Sequence, residues 1–296
     1  MTWLQLRLDT RPDQVETLEQ LMLATGAVAV TMEDNADQPV LEPGVGETPL
    51  WGQTRLTGLY PADTAMAEVL AGFPAHLLRE ANQRVEILED KDWEREWMQH
   101  YRPMPFGRRL WVCPSWLEPP DPDAVNLLLD PGLAFGTGTH PTTALCLGEL
   151  DGMALDRASV VDYGCGSGIL AVAALRLGAV RALGVDNDPQ ALVATRDNAG
   201  RNGVAVAALE VALPGAYDRE SWSRSADLVI ANILAGPLVE LADTLLDFLK
   251  PGGTLLLSGL LQTQAGALCE HYAGRVDLVV AGEREGWVCL RGTLTD

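Results

Sequence analysis

The residues with the clearest chemical potential lie in the stretch 160–169, which has the sequence VVDYGCGSGI. An apolar run reaches Asp162 and is followed by glycines at alternate positions, Gly164, Gly166 and Gly168. This order predicts a strand, a tight turn and the start of a helix. Glycines allow the backbone to approach a ligand closely, and a helix start offers unpaired N–H groups. We therefore predict that Gly164 and Gly166 line a pocket for a nucleotide-like ligand; a purely structural turn is the alternative.

A second candidate is Asp186, in the stretch GVDND at 184–188. It ends the predicted strand 181–185 and follows Gly164 by 22 residues. A carboxylate at this place can accept hydrogen bonds from two ribose hydroxyls. The third glycine of the turn comes one residue earlier than in the dinucleotide fingerprint G-x-G-x-x-G, which disfavours a dehydrogenase. Instead, Asp before G-x-G-x-G resembles the first motif of S-adenosylmethionine-dependent methyltransferases with a Rossmann-like sheet.

A third candidate is Asn232, a polar amide beside apolar residues at the end of the predicted strand 227–231. An unpaired buried amide costs roughly 1 to 3 kcal/mol, so this side chain needs a partner. Capping of the following helix is the structural explanation. The functional explanation is that the side-chain oxygen accepts hydrogen bonds from a substrate amine. The motif of Asn232, Ile233 and Leu234 is similar to the Asn-Pro-Pro-Tyr with which many N-methyltransferases end the same strand, so all three are predicted catalytic-site residues.

A loop rich in glycine and threonine, DPGLAFGTGTHPTT, occupies residues 130–143 before a predicted helix at 142–150. Such a loop can close over a ligand and donate N–H and hydroxyl hydrogen bonds. We therefore include Phe135 and His140 among the predicted cofactor contacts; for His140 a structural role is the alternative.

Hydrophobic periodicity predicts two kinds of architecture along the chain. The order β-α-β-β-α-β at the N-terminus indicates a small α+β ferredoxin-like domain, which suits recognition better than chemistry. Farther along, strands and helices alternate, which indicates an α/β, Rossmann-like methyltransferase sheet of seven mostly parallel strands with ligands at their carboxyl ends. The strands of the first part are predicted at 3–8, 28–32, 54–60 and 84–88, and those of the second at 159–163, 181–185, 205–210, 227–231, 254–258, 275–281 and 287–292.

Three segments follow from this pattern. We predict a substrate-recognition domain at 1–90, a connector helix and proline-rich hinge at 91–125, and a methyltransferase domain at 126–296. The connector helix carries Trp93 and Trp97 four residues apart, which favours packing against a neighbouring domain.

The charge composition indicates which kinds of molecule the protein can bind. The chain of 296 residues carries 41 acidic residues against 21 Lys and Arg, a formal net charge of −20. This charge opposes direct binding to a nucleic-acid backbone and favours a basic partner, although solubility alone would also explain it. No apolar stretch reaches the roughly 18 residues needed to cross a bilayer, and the five cysteines never occur in C-x-x-C spacing. We expect a cytoplasmic protein without a signal peptide, membrane span, metal site or disulfide.

Four stretches follow the connector sequence DKDWEREWMQHYRPMPFG in a fixed order: GLAFGTGTHPTT, DYGCGSG, GVDNDP and NILAGPL. With them the chain resembles the ribosomal protein L11 methyltransferase (PrmA) family over nearly its whole length. The resemblance implies transfer of methyl groups from S-adenosyl-L-methionine to lysine side-chain and N-terminal amines of ribosomal protein L11, which the small N-terminal domain recognises. It also implies cofactor contacts at Thr143, Gly164, Asp186 and Asn232, with Asn232 facing the methyl-accepting nitrogen.

Two other functions stay open from the residues alone. One is an RNA methyltransferase, which the acidic charge disfavours. The other is a ribosome-associated factor that binds the cofactor without catalysis, for which Asn232→Ala would leave cellular function intact. The leading hypothesis is a protein-lysine N-methyltransferase that acts as a monomer on a basic ribosomal protein, without direct nucleic-acid contact.

Overall fold

The structure, a computed structural model, describes residues 2–36, 50–88, 101–130 and 140–295. The chain divides into two compact units, Met1–Gln99 and His100–Asp296. The predicted connector helix, with Trp93 and Trp97, lies outside the described residues. The domain limits drawn from the sequence therefore remain a prediction.

The first unit contains a four-stranded antiparallel sheet covered by helices. Its strand order, β2-β3-β1-β4, is that of a ferredoxin-like fold, which confirms the predicted class. The second helical region of this unit consists of two short helices, because Pro74 between them has no backbone N–H and cannot continue the first. The elements are β1 (Trp3–Thr10), α1 (Pro12–Ala24), β2 (Ala29–Asp34), β3 (Thr54–Pro61), α2 (Met66–Ala71), α3 (Ala75–Glu80) and β4 (Asn82–Leu88).

Two periodicities build the core of the first unit. On β1, Leu6 and Leu8 lie on one face and are fully buried, as expected where side chains alternate between the faces of a strand. On α1, the buried residues Val15, Leu18 and Met22 recur every three or four positions and form one apolar stripe. The helix therefore packs its stripe on the face of the sheet that carries the two leucines.

The second unit begins with a small three-stranded sheet made of β5 (Met104–Phe106), β6 (Leu110–Cys113) and β7 (Val125–Leu128). Its first two strands lie within the range predicted as a hinge. The turn between them is held by Asp151, near the end of helix α4 (Pro141–Gly152). The Asp151 carboxylate accepts hydrogen bonds from the Arg108 and Arg109 amides at 2.7 and 2.9 Å. These bonds fix the small sheet to α4.

Seven strands form the large sheet, as predicted, and helices cover it. The strands are β8 (Ser159–Tyr163), β9 (Arg181–Val185), β10 (Leu209–Ala212), β11 (Ala226–Asn232), β12 (Leu249–Leu261), β13 (Val279–Arg284) and β14 (Trp287–Thr293). The helices after α4 are α5 (Ile169–Arg176), α6 (Pro189–Arg201), α7 (Arg219–Trp222), α8 (Ala235–Glu240), α9 (Ala242–Phe248) and α10 (Gln262–Tyr272). None of the described helices has the length and apolar character needed to cross a bilayer.

The strand order of the large sheet is β10-β9-β8-β11-β12-β14-β13. All neighbours are parallel except β14, which runs antiparallel to β12 and β13. Val160 and Val161 are consecutive residues of β8 and belong to separate hydrophobic clusters on opposite faces of the sheet. Both faces of the sheet are therefore covered. The order reverses direction between β8 and β11, and ligands bind outside the carboxyl ends of the strands at such a switch point.

Candidate active site

The glycine turn follows β8 directly. Gly164, Gly166 and Gly168 all have left-handed backbone angles, with φ of 80°, 53° and 76°. Residues with a Cβ adopt this region only at a cost, which explains the glycines at alternate positions. The turn is also tightly packed, because a Cβ on Gly164 would overlap the Cγ2 methyl of Ile233 and one on Gly168 would lie 2.6 Å from Cγ2 of Thr195. The backbone of the turn therefore lies directly against the residue that follows β11.

Asp186 lies beside this turn, at the end of β9. Its carboxylate accepts hydrogen bonds from the amide of Gly166 at 2.8 Å and from the amide of Asp188 at 3.0 Å. Each carboxylate oxygen has a further lone pair available to a ligand. The structure thus brings together the turn and the acid that the sequence analysis assigned to the cofactor.

Asp162 lies at the penultimate position of β8 and is a buried acid. Its burial and incomplete hydrogen bonding were not predicted from the sequence. Its side chain is fully buried, and its Oδ2 accepts a hydrogen bond from the amide of Ala171, in the first turn of α5, at 3.0 Å. Its Oδ1 has no partner among the described residues. Burial raises the pKa of Asp162 to about 7; the Ala171 amide opposes this shift and the negative charge of Asp186 adds to it. The signal in the sequence for a buried carboxylate is that Asp162 lies at the end of an apolar run.

Asn232 ends β11 and contacts the start of α4. Its Nδ2 donates a hydrogen bond to Oγ1 of Thr143 at 3.3 Å, and Thr143 is almost fully buried. Its Oδ1 is buried and has no partner among the residues that the structure describes. The N-cap of α8 is Leu234, and no side chain bonds there. Asn232 therefore does not cap that helix, and its oxygen is a buried acceptor that the described residues leave unsatisfied.

The two residues after Asn232 differ in environment. Ile233 is half-buried, with its Cγ2 methyl against Gly164. Leu234 is 55% exposed. The predicted catalytic motif thus places one buried amide oxygen next to a half-buried and an exposed apolar side chain.

His140 begins α4. Its Nδ1 accepts a hydrogen bond from the Thr142 amide at 3.4 Å and lies 2.7 Å from Oγ1 of Thr142, so His140 is the N-cap of the helix. Its ring packs edge-on against Trp287 with the centroids 5.1 Å apart. Burial lowers the pKa of His140, and the charge of Glu285 opposes that shift. These contacts support the structural alternative, and the cofactor role of His140 remains a prediction. Phe135 lies outside the described residues.

The candidate residues thus converge on the carboxyl ends of β8, β9 and β11, beside the switch point of the sheet. This sheet order, with a glycine turn after its first strand and an acid after its second, defines the class of Rossmann-like methyltransferases. The family model described as "Ribosomal protein L11 methyltransferase (PrmA)" matches residues 2–295. The chain belongs to this family.

Relatives support the assignment over the full length. A ribosomal protein L11 methyltransferase from Serratia proteamaculans is 55% identical over 294 residues, which cover 99% of both chains. One from Pseudomonas paraeruginosa is 54% identical over 293 residues, covering 99% of this chain and 98% of the other. The crystal structure of a ribosomal protein L11 methylase from Lactobacillus delbrueckii subsp. bulgaricus is similar with a TM-score of 0.58 at 30% identity. That match covers 66% of this chain and all of the other.

Proposed function

We propose that this protein transfers methyl groups from S-adenosyl-L-methionine to lysine side-chain and N-terminal amines of ribosomal protein L11. The observation that carries the proposal is Asn232, whose Nδ2 is held by Thr143 while its Oδ1 is a buried acceptor with no partner among the described residues. Amines are hydrogen-bond donors, and an unpaired buried acceptor is costly unless a ligand satisfies it. Membership of the L11 methyltransferase family supports the choice of substrate.

The residues present fit the cofactor. Three left-handed glycines at alternate positions shape the turn, and the Asp186 carboxylate beside Gly166 suits the ribose hydroxyls. Gly164, Gly166, Thr143 and Asn232 would complete the contacts. When bound, S-adenosyl-L-methionine supplies an electrophilic methyl group on a sulfonium sulfur.

This chain's own contribution is to position a neutral amine. At pH 7 a lysine with a pKa near 10.4 must spend roughly 4 to 5 kcal/mol to lose its proton, whereas an N-terminal amine with a pKa near 8 needs only about 1 to 1.5. Residues 232–235, Asn-Ile-Leu-Ala, contain no general base. In this proposal the half-buried Ile233 lowers the amine pKa by desolvation, water takes the proton, and Asn232 orients the lone pair.

Charge complementarity supports a basic partner. A protein of net charge −20 and a lysine-rich ribosomal protein attract each other, which speeds their encounter in a salt-dependent way. We assign recognition of L11 to the first unit, because the chemistry-bearing residues lie in the second. In this proposal the enzyme acts as a monomer in the cytoplasm on the protein alone, without direct contact to RNA.

The test is to incubate the purified protein with labelled S-adenosyl-L-methionine and free large-subunit ribosomal proteins, and separately with ribosomal RNA, and to measure mass shifts of the intact proteins and label in the RNA. Methyl-sized increments should appear on one basic protein and be absent with Asp186→Ala. Asp197→Ala, which removes an exposed carboxylate from α6, is the charge-matched control and should retain them. Label found only in RNA would support the RNA methyltransferase, and no label despite cofactor binding would support the non-catalytic factor.

A further inference from the structure

β12 contains a bulge at the level of the candidate active site. Leu257 pairs with Leu290, but Leu260 pairs with Val288, so the two residues Ser258 and Gly259 lie opposite one residue of β14. Gly259 has a left-handed φ of 87°. A bulge of this kind bends its strand locally, and bulges are frequent next to active sites, where they redirect side chains.

The absence of a side chain at Gly259 allows a close approach of two backbones. A Cβ there would lie 2.7 Å from the carbonyl carbon and 2.9 Å from the nitrogen of Ile233, and closer still to its oxygen. All three are backbone atoms, so they could not move aside by a change of rotamer. Ile233 directly follows Asn232. Gly259 therefore determines where the chain can leave β11 after the candidate amine-binding residue.

Ser258 connects the bulge to the other partner of Asn232. It pairs with Asn232 across the parallel strands, and its side chain is fully buried. Its Oγ lies 3.1 Å from the Val288 carbonyl and 3.5 Å from the Thr142 carbonyl, both of which can accept its hydrogen bond. Thr142 precedes Thr143, whose Oγ1 accepts the hydrogen bond from Asn232. The bulge thus contacts both the chain that follows Asn232 and the helix start that holds its amide.

We propose that the Ser258–Gly259 bulge is a positioning element of the methyl-acceptor site. Gly259 locates the backbone of the catalytic motif and Ser258 locates the start of α4, so that Oδ1 of Asn232 is held where a substrate amine can donate to it. This inference rests on the proposed methyl transfer. Of the candidate cofactor contacts, Thr143 and Asn232 lie next to the bulge, whereas the glycine turn and Asp186 follow β8 and β9, on the far side of β11, and would keep most of the cofactor contacts. The bulge should therefore influence kcat more than cofactor affinity.

The decisive variant is Gly259→Ala, and Gly252→Ala is its matched control. Gly252 lies on the same strand, has a similar left-handed φ of 73° and would place its Cβ in open space. Both variants carry the backbone strain of a left-handed alanine, but only Gly259→Ala adds the overlap with Ile233. We expect kcat for methylation of L11 to fall about 100-fold in Gly259→Ala, because a displacement near 1 Å has an effect of that size. Cofactor affinity, measured by calorimetry, should change much less, and Gly252→Ala should keep the wild-type kcat.

Ser258→Ala is the second variant and keeps the inference testable if Gly259→Ala does not fold. It removes the hydroxyl without adding an overlap, and it should lower kcat while cofactor affinity stays near that of the wild type. Equal losses in Gly259→Ala and Gly252→Ala, or a wild-type kcat in Ser258→Ala, would overturn the inference. If the unaltered protein methylates no ribosomal protein, the proposed function fails instead, so the two failures are distinguishable.

Discussion

Asp162 offers a quantitative test of how the buried end of β8 depends on protonation. Burial raises the pKa of Asp162 from 3.8 to about 7. Between these values the unfolded chain has lost the proton while the folded protein keeps it, so the folded protein binds more protons. The stability that depends on Asp162 is therefore complete below about pH 4 and is lost as the pH rises towards 7. Three pH units at roughly 1.4 kcal/mol each correspond to about 4 kcal/mol in the free energy of unfolding.

The perturbation is Asp162→Asn, which removes the titration and keeps an oxygen that can accept from the Ala171 amide. The wild type should lose stability relative to this variant as the pH rises. We expect the difference between their free energies of unfolding to change by about 4 kcal/mol between pH 4 and pH 7, in favour of the variant. Urea unfolding of both proteins at a series of pH values measures this difference. Asp197→Asn, an exposed position on α6, controls for the loss of one negative charge. Parallel stability curves for Asp162→Asn and the wild type would refute the reasoning.

Three further predictions concern separate contacts. Asn232→Ala removes one acceptor worth roughly 1 to 3 kcal/mol, so it should lower kcat by about 5- to 150-fold while retaining most cofactor affinity. Equal losses of both, measured by single-turnover kinetics and calorimetry, would contradict this. Gly164→Ala should destabilise the protein through its overlap with a side-chain methyl, and Ile233→Ala in the double variant should recover part of that loss; additive changes in a double-mutant cycle would disprove it. The hydrogen bond from Arg55 lowers the pKa of Asp9, so Arg55→Gln should destabilise the first unit by about 1 kcal/mol at pH 7. That difference should vanish as the pH falls below the folded-state pKa of Asp9; a persistent difference in acid would rule out the ion pair as its cause.

The glycine turn and Asp186 could be predicted from the sequence because their signals are local. A strand, glycines at alternate positions and an acid after the next strand lie within 30 residues, and each glycine meets a backbone requirement of its own turn. The partner of Asn232 could not be predicted in this way. Thr143 lies 89 positions away, and only the packing of α4 against the large sheet brings the two side chains together.

The hinge and the bulge show a second limit of predicting structure from the sequence, which concerns prolines and glycines within strands. Prolines at 103, 105, 114, 119, 120 and 122 favoured an irregular hinge, yet Pro105 lies within β5. This is possible because β5 is an edge strand, where a missing N–H leaves no ladder bond unmade. Likewise, the predicted strand 254–258 stopped at Gly259, whereas β12 continues to Leu261. β12 continues through this left-handed glycine because its bulge places two residues opposite one residue of β14.

The position of Ile233 explains why two distant glycines belong to one site. Gly164 approaches its side chain from β8 and Gly259 approaches its backbone from β12, the two strands that flank β11. A larger residue on either side would push the chain that follows Asn232 towards the other. The overlap at Gly164 involves a methyl group and the overlap at Gly259 involves the peptide itself. Ile233→Ala should therefore relieve Gly164→Ala but not Gly259→Ala. Relief of both by the same substitution would mean that the side chain of Ile233, rather than its backbone, carries the constraint.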